Sequence, residues 1–349
     1  MAGEMKAWYY SEHGGPEVRQ LRDVEMPALK PDEVRVKVIA CALNRLDLLQ
    51  REAPVVAGFS LPHVCGMDFV GTVVEVGPEA DAGLRDKIVV IDPVVSCGTC
   101  DRCLSGNEFY CRTMRTIGSS RWGGMAEYVA VPDRNCIEVA DSTIPLEELA
   151  GVPVASVTAW HAVLGAAKVQ PGETVVIPGA NSGVGIAAIQ IAKQQGCRVI
   201  TTISGPERMQ KAYDLGADLV IDRRAEDWVQ KARDFSGGDG ADFVWDHVGG
   251  AFLQQAIDAC TIEARVVMSG TTDDGYSTIK DTSVYHYGRT LIGHGKYTRQ
   301  EMRDTVAAYA SGKLKLVVDS YWSFEDMHKA EERLQSNDFF GKVIVCMPN

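Results

Sequence analysis

Four cysteines in the run CGTCDRCLSGNEFYC, Cys97, Cys100, Cys103 and Cys111, are separated by two, two and seven residues. Zn2+ bound by four thiolates needs a tetrahedron with short sulfur–sulfur edges, and two-residue gaps let one tight loop wrap successive sulfurs around a single ion. Such a closed shell leaves no coordination position for a substrate, so the expected metal is one structural Zn2+. Free thiols and an iron–sulfur cluster are the competing readings; the seven-residue final gap is not the ferredoxin spacing. A second chemical signal is ETVVIPGANSGVGIAAIQIAKQQGCRVITTIS, Glu173 to Ser204. Gly183, Val184 and Gly185 fall where a glycine-rich turn would open a helix, and a helix N-terminus with bare backbone seats a dinucleotide pyrophosphate. A glycine triplet alone would also suit a purely structural turn; the flanking strand–helix–strand pattern favours the nucleotide.

Both signals need elements to hold them. Thr174 to Ile177 is a short β-branched run that reads as a buried parallel strand, Val184 to Ala192 has helical spacing, and Arg198 to Ile203 reads as the next strand. Strand and helix keep alternating from Gly172 to about Ile292, through a helix from Pro206 to Leu215, a strand 219–222, a helix around Trp228 to Phe235, and strands at Asp242–Gly249 and Ala264–Gly270. That recurrence gives a doubly wound parallel sheet. The N-terminal third differs. Val34 to Ile39 alternates apolar and charged residues, Cys41 to Glu52 has helically spaced leucines, and Leu61–Gly77 and Asp86–Val90 read as turn and strand. It is mostly antiparallel β. Near the other end, Met302–Ala310 reads as a helix, Leu314–Phe324 as a strand and FGKVIV as a closing strand.

Composition narrows the functional classes. The chain has 349 residues, room for about two domains. A formal charge of −12 argues against non-specific binding to nucleic acid or anionic membranes. No apolar run reaches the ~20 residues that span a bilayer. The start, MAGEMKAWYY, lacks the apolar core of a secretory signal, and ten cysteines with four clustered do not form a disulfide scaffold. A reducing cytoplasm is expected.

With GGPEV (Gly14 to Val18), GMDFVGTVVEVG, the four-cysteine lobe, GANSGVG, LGAD (215–218) and the terminal GKVIV, the chain resembles the medium-chain dehydrogenase/reductase superfamily over essentially its whole length. The resemblance implies an α/β chain: a Rossmann doubly wound parallel sheet (136–295) plus a GroES-like β-rich catalytic domain with a four-Cys zinc lobe (1–135 and 296–349), the active site lying between them. The catalytic zinc of the family does not carry over. Its first ligand, a cysteine before a basic residue, a hydroxyl residue and an aspartate, falls in Asn44-Arg45-Leu46-Asp47. Its Gly-His-Glu turn reads Gly66-Met67-Asp68, and its third ligand falls at Val154. An amide, a thioether and an alkyl group do not make an N/S tetrahedral site. Cys41, Cys65 and His63 lie nearby as donors for a shifted site, although buried cysteine is more commonly a small hydrophobe.

Without zinc the substrate oxygen must be polarised by hydrogen bonds or a nearby acid. The candidates are Asn44 as an amide donor and Asp68 as an acid tuned by burial, against turn-holding and salt-bridge roles for the same residues. Asp47 is a third candidate, expected to orient Arg45 rather than to transfer protons, and His161 is expected to be structural. By resemblance Arg45 approaches the pyrophosphate, Thr158 contacts the nicotinamide, and main-chain groups near Ser269-Gly270 and Gly293 to Gly295 cradle its far side. At the end of the second strand stands Ser204, with no acid to receive ribose hydroxyls; Arg208 and Arg223 offer positive charge for a 2′-phosphate, and Glu207 is expected to point along the next helix. The expected cofactor is NADP, with NAD the alternative. The expected function is hydride transfer from NAD(P)H to a small-molecule quinone or α,β-unsaturated carbonyl without catalytic zinc. A zinc alcohol dehydrogenase with atypical ligands and a catalytically silent NADP-binding protein are the rivals. A homodimer or homotetramer is expected, with no nucleic-acid or membrane partner.

Overall fold

The computed structural model describes residues 3–56, 58–270, 275–295 and 297–348. It divides into two compact units, residues 1–157 with 298–349, and residues 158–297. In chain order the strands are β1 (Glu4–Tyr10), β2 (Gln20–Glu25), β3 (Glu33–Ala42), β4 (His63–Val64), β5 (Asp68–Val76) and β6 (Ile88–Ile91). Then come β7 (Val94–Val95), β8 (Arg115–Thr116), β9 (Tyr128–Pro132), β10 (Cys136–Glu138), β11 (Thr174–Ile177), β12 (Arg198–Ile203) and β13 (Leu219–Asp222). The last are β14 (Ala241–Asp246), β15 (Cys260–Met268), β16 (Thr290–Gly293), β17 (Val318–Ser323) and β18 (Lys342–Cys346). The helices used below are α1 (Arg45–Glu52), α2 (Asp101–Leu104), α3 (Leu146–Leu149), α4 (Pro153–Trp160), α5 (Gly183–Gln194) and α6 (Met209–Asp214).

In the first unit the main sheet runs β10-β6-β5-β3-β18-β17, with β9 also on β3. The alternation of β3 puts Val34, Val36 and Val38 into a core with Phe69, Val73, Val89 and Ile91, and the C-terminal Val343 and Val345 join it. β18 pairs antiparallel with β3, Ile344 opposite Ala42. That register carries Lys342, two residues before Ile344, to the end of β3 where Leu43 and Asn44 follow. A separate smaller sheet, β2-β1-β4, flanks Tyr10 and His63.

The expected boundary at residue 136 moves to 157/158. Residues 136–157 stay with the first unit because β10 extends its sheet against β6, and α3 packs on β3 and β5. The expected Leu314–Phe324 strand shortens to β17, and the expected Pro206–Leu215 helix splits into a 3-10 turn, Pro206–Arg208, and α6.

The second unit holds a six-stranded parallel sheet in the order β13-β12-β11-β14-β15-β16. Strand order reverses between β11 and β14. In such sheets the crevice at the carboxyl ends at the reversal is where ligands bind. The helix after β11 starts there, and its buried Ile186, Ile189 and Ile191 anchor it to the sheet.

Within the first unit a buried ion cluster joins segments distant in sequence. Arg19 and Arg51 both pair with Glu331, and all three side chains are fully buried. Arg19 also donates to the carbonyl of Asp47 at 3.0 Å. Removing one partner of a buried pair leaves an uncompensated charge and costs about 3–5 kcal/mol. Glu331→Ala, which strands two guanidiniums, is therefore expected to lose about that much stability in urea unfolding. Lys329→Ala, which breaks only an exposed pair with Asp326, should leave the midpoint unmoved.

Candidate functional site

The cysteine lobe forms a compact sulfur cluster. The four Sγ atoms of Cys97, Cys100, Cys103 and Cys111 all lie within 4.8 Å of one another. Separations of 3.5 Å (Cys100–Cys103), 3.8 Å (Cys97–Cys103) and 4.0 Å (Cys100–Cys111) surround the edge of about 3.8 Å that Zn–S bonds of about 2.3 Å require. Cys100 and Cys103 are brought together by α2, and a 3-10 turn at Glu108–Tyr110 delivers Cys111. Backbone N–H groups point at the sulfurs: Cys100 N–H donates to Cys97 Sγ at 3.3 Å and Cys97 N–H to Cys111 Sγ at 3.2 Å. The amides of Thr99 and Cys100 pull the Cys97 thiol down to about 5, while burial and the neighbouring sulfurs hold Cys103 up at about 11. Only a cation lets all four ionise together, and the donor set fits Zn2+.

In the second unit, β11 leads into Pro178-Gly179 and then α5. Ser182 caps this helix, accepting from Gly185 N–H at 3.1 Å and donating to the Gly179 carbonyl at 2.8 Å. Gly185 is needed because a Cβ there would collide with the Gly179 carbonyl; Gly179 itself has φ +70°. Gly183 and Val184 form the first turn, half-buried, with its amides at the carboxyl end of the sheet. The turn is braced by His247, whose Nε2–H donates to the Pro178 carbonyl at 2.9 Å while burial pushes its pKa down. Sequence reading singled out neither Ser182 nor His247. The serine three residues before Gly185 carries a capping signature; the histidine has no local signal.

At the end of β12 the structure brings Ser204, Arg208 and Arg223 together. Arg208 Nη2 donates to the Ser204 carbonyl at 2.6 Å and Arg223 Nε to Ser204 Oγ at 2.8 Å. Glu207 does not point along a helix as expected. Because Pro206–Arg208 is a 3-10 turn, its carboxylate folds back over Gly205 and pairs with Arg208 Nε at 3.1 Å. At the ends of β15 and β16, Ser269 N–H donates to the Asp246 carbonyl and Ser269 Oγ accepts from Trp245 Nε1, while Gly270 is exposed with φ +77°. Thr158 lies half-buried on α4, and His161 begins a π-helical segment, His161–Ala166, a rare form that is frequent at functional sites.

In the first unit Asn44, Asp47 and Asp68 come together, but with a partner that sequence reading missed. Lys342 Nζ donates to Asp68 Oδ2 at 3.0 Å, Asn44 Oδ1 at 2.9 Å and the Leu43 carbonyl at 3.2 Å. Asp68 also accepts from Asn44 Nδ2 and from Val154 N–H, each at 2.8 Å. Asp47 accepts from Asn44 N–H at 2.8 Å and Gly66 N–H at 3.1 Å, and burial pushes its pKa up.

Residues 30–141 match the model of the alcohol dehydrogenase GroES-like domain and residues 183–311 that of the zinc-binding dehydrogenase. An alcohol dehydrogenase of Geobacillus stearothermophilus is 30% identical over 93% of this chain and 95% of its own length. The chain is a medium-chain dehydrogenase/reductase. A quinone oxidoreductase of Homo sapiens is 25% identical over 98% of both chains. A solved NAD-dependent alcohol dehydrogenase is 34% identical and superposes with a TM-score of 0.91 over 99% of this chain and all of that one. The chain is thus an NAD(P)-dependent oxidoreductase with the Rossmann and GroES-like folds, and among the described residues no helix is long and apolar enough to cross a membrane.

Of the family's three catalytic-zinc positions in this medium-chain dehydrogenase/reductase, Asn44 gives its amide oxygen to the Lys342 ammonium, whose charge opposes a divalent cation, and Met67 and Val154 offer no strong donor. The residues do not fit a catalytic zinc. Nor does a shifted site form. Cys41 and Cys65 are fully buried core thiols with pKa values raised by burial, Cys65 to about 11, and the described residues contain one metal-type cluster, the four-cysteine lobe. Two expectations need correction. Asp68 is not a free acid but the counter-ion of Lys342, because β18 packs beside β3. Asp47 does not orient Arg45: at the third position of α1 its carboxylate folds back onto the Asn44 cap, while Arg45 is exposed and reaches Asn337 at 3.5 Å.

Two outcomes follow. Purified protein should carry one zinc per chain by atomic emission, and Cys103→Ser should cut that below about half while making 97–111 the first site of proteolysis. His63 is buried with Nε2 unpartnered, and burial lowers its pKa to about 4. The unfolded chain binds this proton below about pH 6.5 but the native state only near 4, so native stability falls across that window by about 3 kcal/mol. His63→Phe should therefore lose distinctly less stability than the wild type between pH 7 and 4.5 in urea titrations.

Proposed function

We propose that this chain is an NADP(H)-dependent reductase of conjugated acceptors, quinones or α,β-unsaturated ketones and aldehydes, that works without a catalytic zinc. The observation that carries the reading is the donor set at the three zinc positions: Met67 and Val154 offer no strong ligand, and the amide oxygen of Asn44 is already taken by the Lys342 ammonium. An alcohol oxidised by hydride loss must first give up its hydroxyl proton, which a metal makes easy; a conjugated acceptor only needs its oxygen polarised as charge builds there. Asn44, half-buried, keeps one amide hydrogen beyond its bond to Asp68 and is the donor for that oxygen. Lys342 adds positive charge behind it. The balancing proton comes from solvent. The likeness to a quinone oxidoreductase supports the acceptor class.

The bound cofactor supplies the hydride. The amides of Gly183, Val184 and Gly185 would hold its pyrophosphate, and Thr158, Ser269 and Gly270 would border the nicotinamide. Ser204, Arg208 and Arg223 take the 2′-phosphate: one guanidinium bonds the Ser204 carbonyl and the other its hydroxyl, Glu207 is spent on Arg208, and Asp222 faces the N–H of Gly205 at 3.5 Å. Structural zinc staples the cysteine lobe. None of the ten cysteines is joined in a disulfide, which suits a reducing cytoplasm. Assembly as a homodimer or homotetramer uses the edge strand β16, preceded in the chain by the exposed Tyr285 and Tyr287.

The test is NADPH oxidation at 340 nm with a panel of quinones and enones, run beside NADH and beside alcohol oxidation with NADP. Turnover of a conjugated acceptor with NADPH preferred at least about tenfold over NADH is expected, since one charge-assisted contact is worth about that factor. Chelator-sensitive alcohol oxidation with two zincs per chain would replace this reading by a zinc alcohol dehydrogenase. Tight NADPH binding with no turnover would replace it by a silent cofactor-binding protein.

A further inference from the structure

We propose that His294 is a positioning residue: it clamps the glycine loop after β16 to Thr158 and thereby presets the nicotinamide end of the cofactor site. The inference rests on the reading above that Thr158, Ser269-Gly270 and Gly293 to Gly295 border the nicotinamide. Both ring nitrogens of His294 are committed to backbone. Nε2–H donates to the Thr158 carbonyl at 2.9 Å, and Nδ1 accepts from the N–H of Gly295. The residue's own N–H donates to the Met268 carbonyl at 2.8 Å. One residue therefore ties the end of β15, the loop after β16 and helix α4. Only the neutral ring with its proton on Nε2 satisfies both contacts, because an imidazolium would turn an N–H against the Gly295 N–H.

The clamp is needed because the loop has little rigidity of its own. Gly293 and Gly295 flank His294, and Gly295 holds φ +114°, a conformation open to glycine alone among common residues. Among the described residues, a Cβ built on Gly270, Gly293 or Gly295 would meet nothing within 4 Å, so none of them closes off this backbone from a ligand. A loop that must order on binding weakens the ligand that orders it, and one fixed beforehand does not. The ring is itself held: it meets His161 edge-on at 5.1 Å and lies nearly parallel to Trp245 at 6.5 Å, whose Nε1–H donates to Ser269 Oγ at 2.7 Å. His294 is thus part of a packed row that ends on the groups expected around the nicotinamide.

Calorimetric binding of NADPH and of 2′,5′-ADP, which lacks the nicotinamide half, tests this without turnover. His294→Ala should weaken NADPH about tenfold, the worth of a lost hydrogen bond and its ordering, and leave 2′,5′-ADP within about twofold. His294→Gln, whose amide can still reach the Thr158 carbonyl, should recover most of the loss, whereas the shorter His294→Asn should not. Unchanged NADPH binding in His294→Ala, or an equal loss for both ligands, would overturn the proposal in favour of a merely structural histidine. Should His294→Ala not fold, equal NADPH affinities in the Gln and Asn variants would overturn it as well. A wild type that binds NADH tighter than NADPH is tested the same way with NADH and 5′-ADP. A wild type that binds neither dinucleotide defeats the cofactor reading itself, and that outcome is separate from any effect of His294.

Discussion

A buried ammonium–carboxylate pair is the constraint around which the first unit is arranged. Lys342 and Asp68 are both almost completely excluded from water. A pair in that position is tolerated only if every remaining donor and acceptor finds a partner. Here they do: the three lysine donors go to Asp68, Asn44 and Leu43, and Asp68 takes further bonds from Asn44 and Val154. Meeting those demands locks together the end of β3, the start of β5, the start of α4 and the C-terminal strand. The same saturation that stabilises the pair disqualifies it as a metal site, since a donor already holding one cation is a poor ligand for another.

The second unit solves a different problem by different means. A dinucleotide carries its charge on phosphates, and the switch point of a parallel sheet meets it with backbone amides and glycines rather than with buried side-chain charge. Few side chains are therefore decisive there. Those that are, Ser182 and His247, act on the backbone of the turn, by capping the helix and by bonding the Pro178 carbonyl. Ser204 with its two arginines is the exception, a place where side-chain charge gathers at the end of β12.

Much of this was legible from local pattern. The four-cysteine lobe is specified by gaps of a few residues, and α5 with its glycines follows from a strand–turn–helix period inside thirty residues. The loss of strong zinc donors at Asn44, Met67 and Val154 is a matter of residue type alone. Where the sequence reading failed, the cause was a contact or backbone form that spacing does not encode. A 3-10 turn in place of an α-helix reversed Glu207, and the capping geometry of α1 turned Asp47 inward and left Arg45 outside.

The amino-acid sequence by itself determined the family, the two kinds of sheet, the cysteine cluster and the absence of a catalytic N/S ligand set, because each depends on periodicity or composition over short stretches. Only the tertiary structure decided that Lys342 meets Asn44 and Asp68. Lys342 lies 274 residues from Asp68, and Glu331 lies 312 from Arg19. Such pairs exist because β18 docks on β3 in one register, and a register is chosen by the whole core at once. The division at 157 likewise follows from β10 and α3 joining a sheet formed elsewhere in the chain. Local chemistry named the parts of this site; long-range packing chose their charges and their partners.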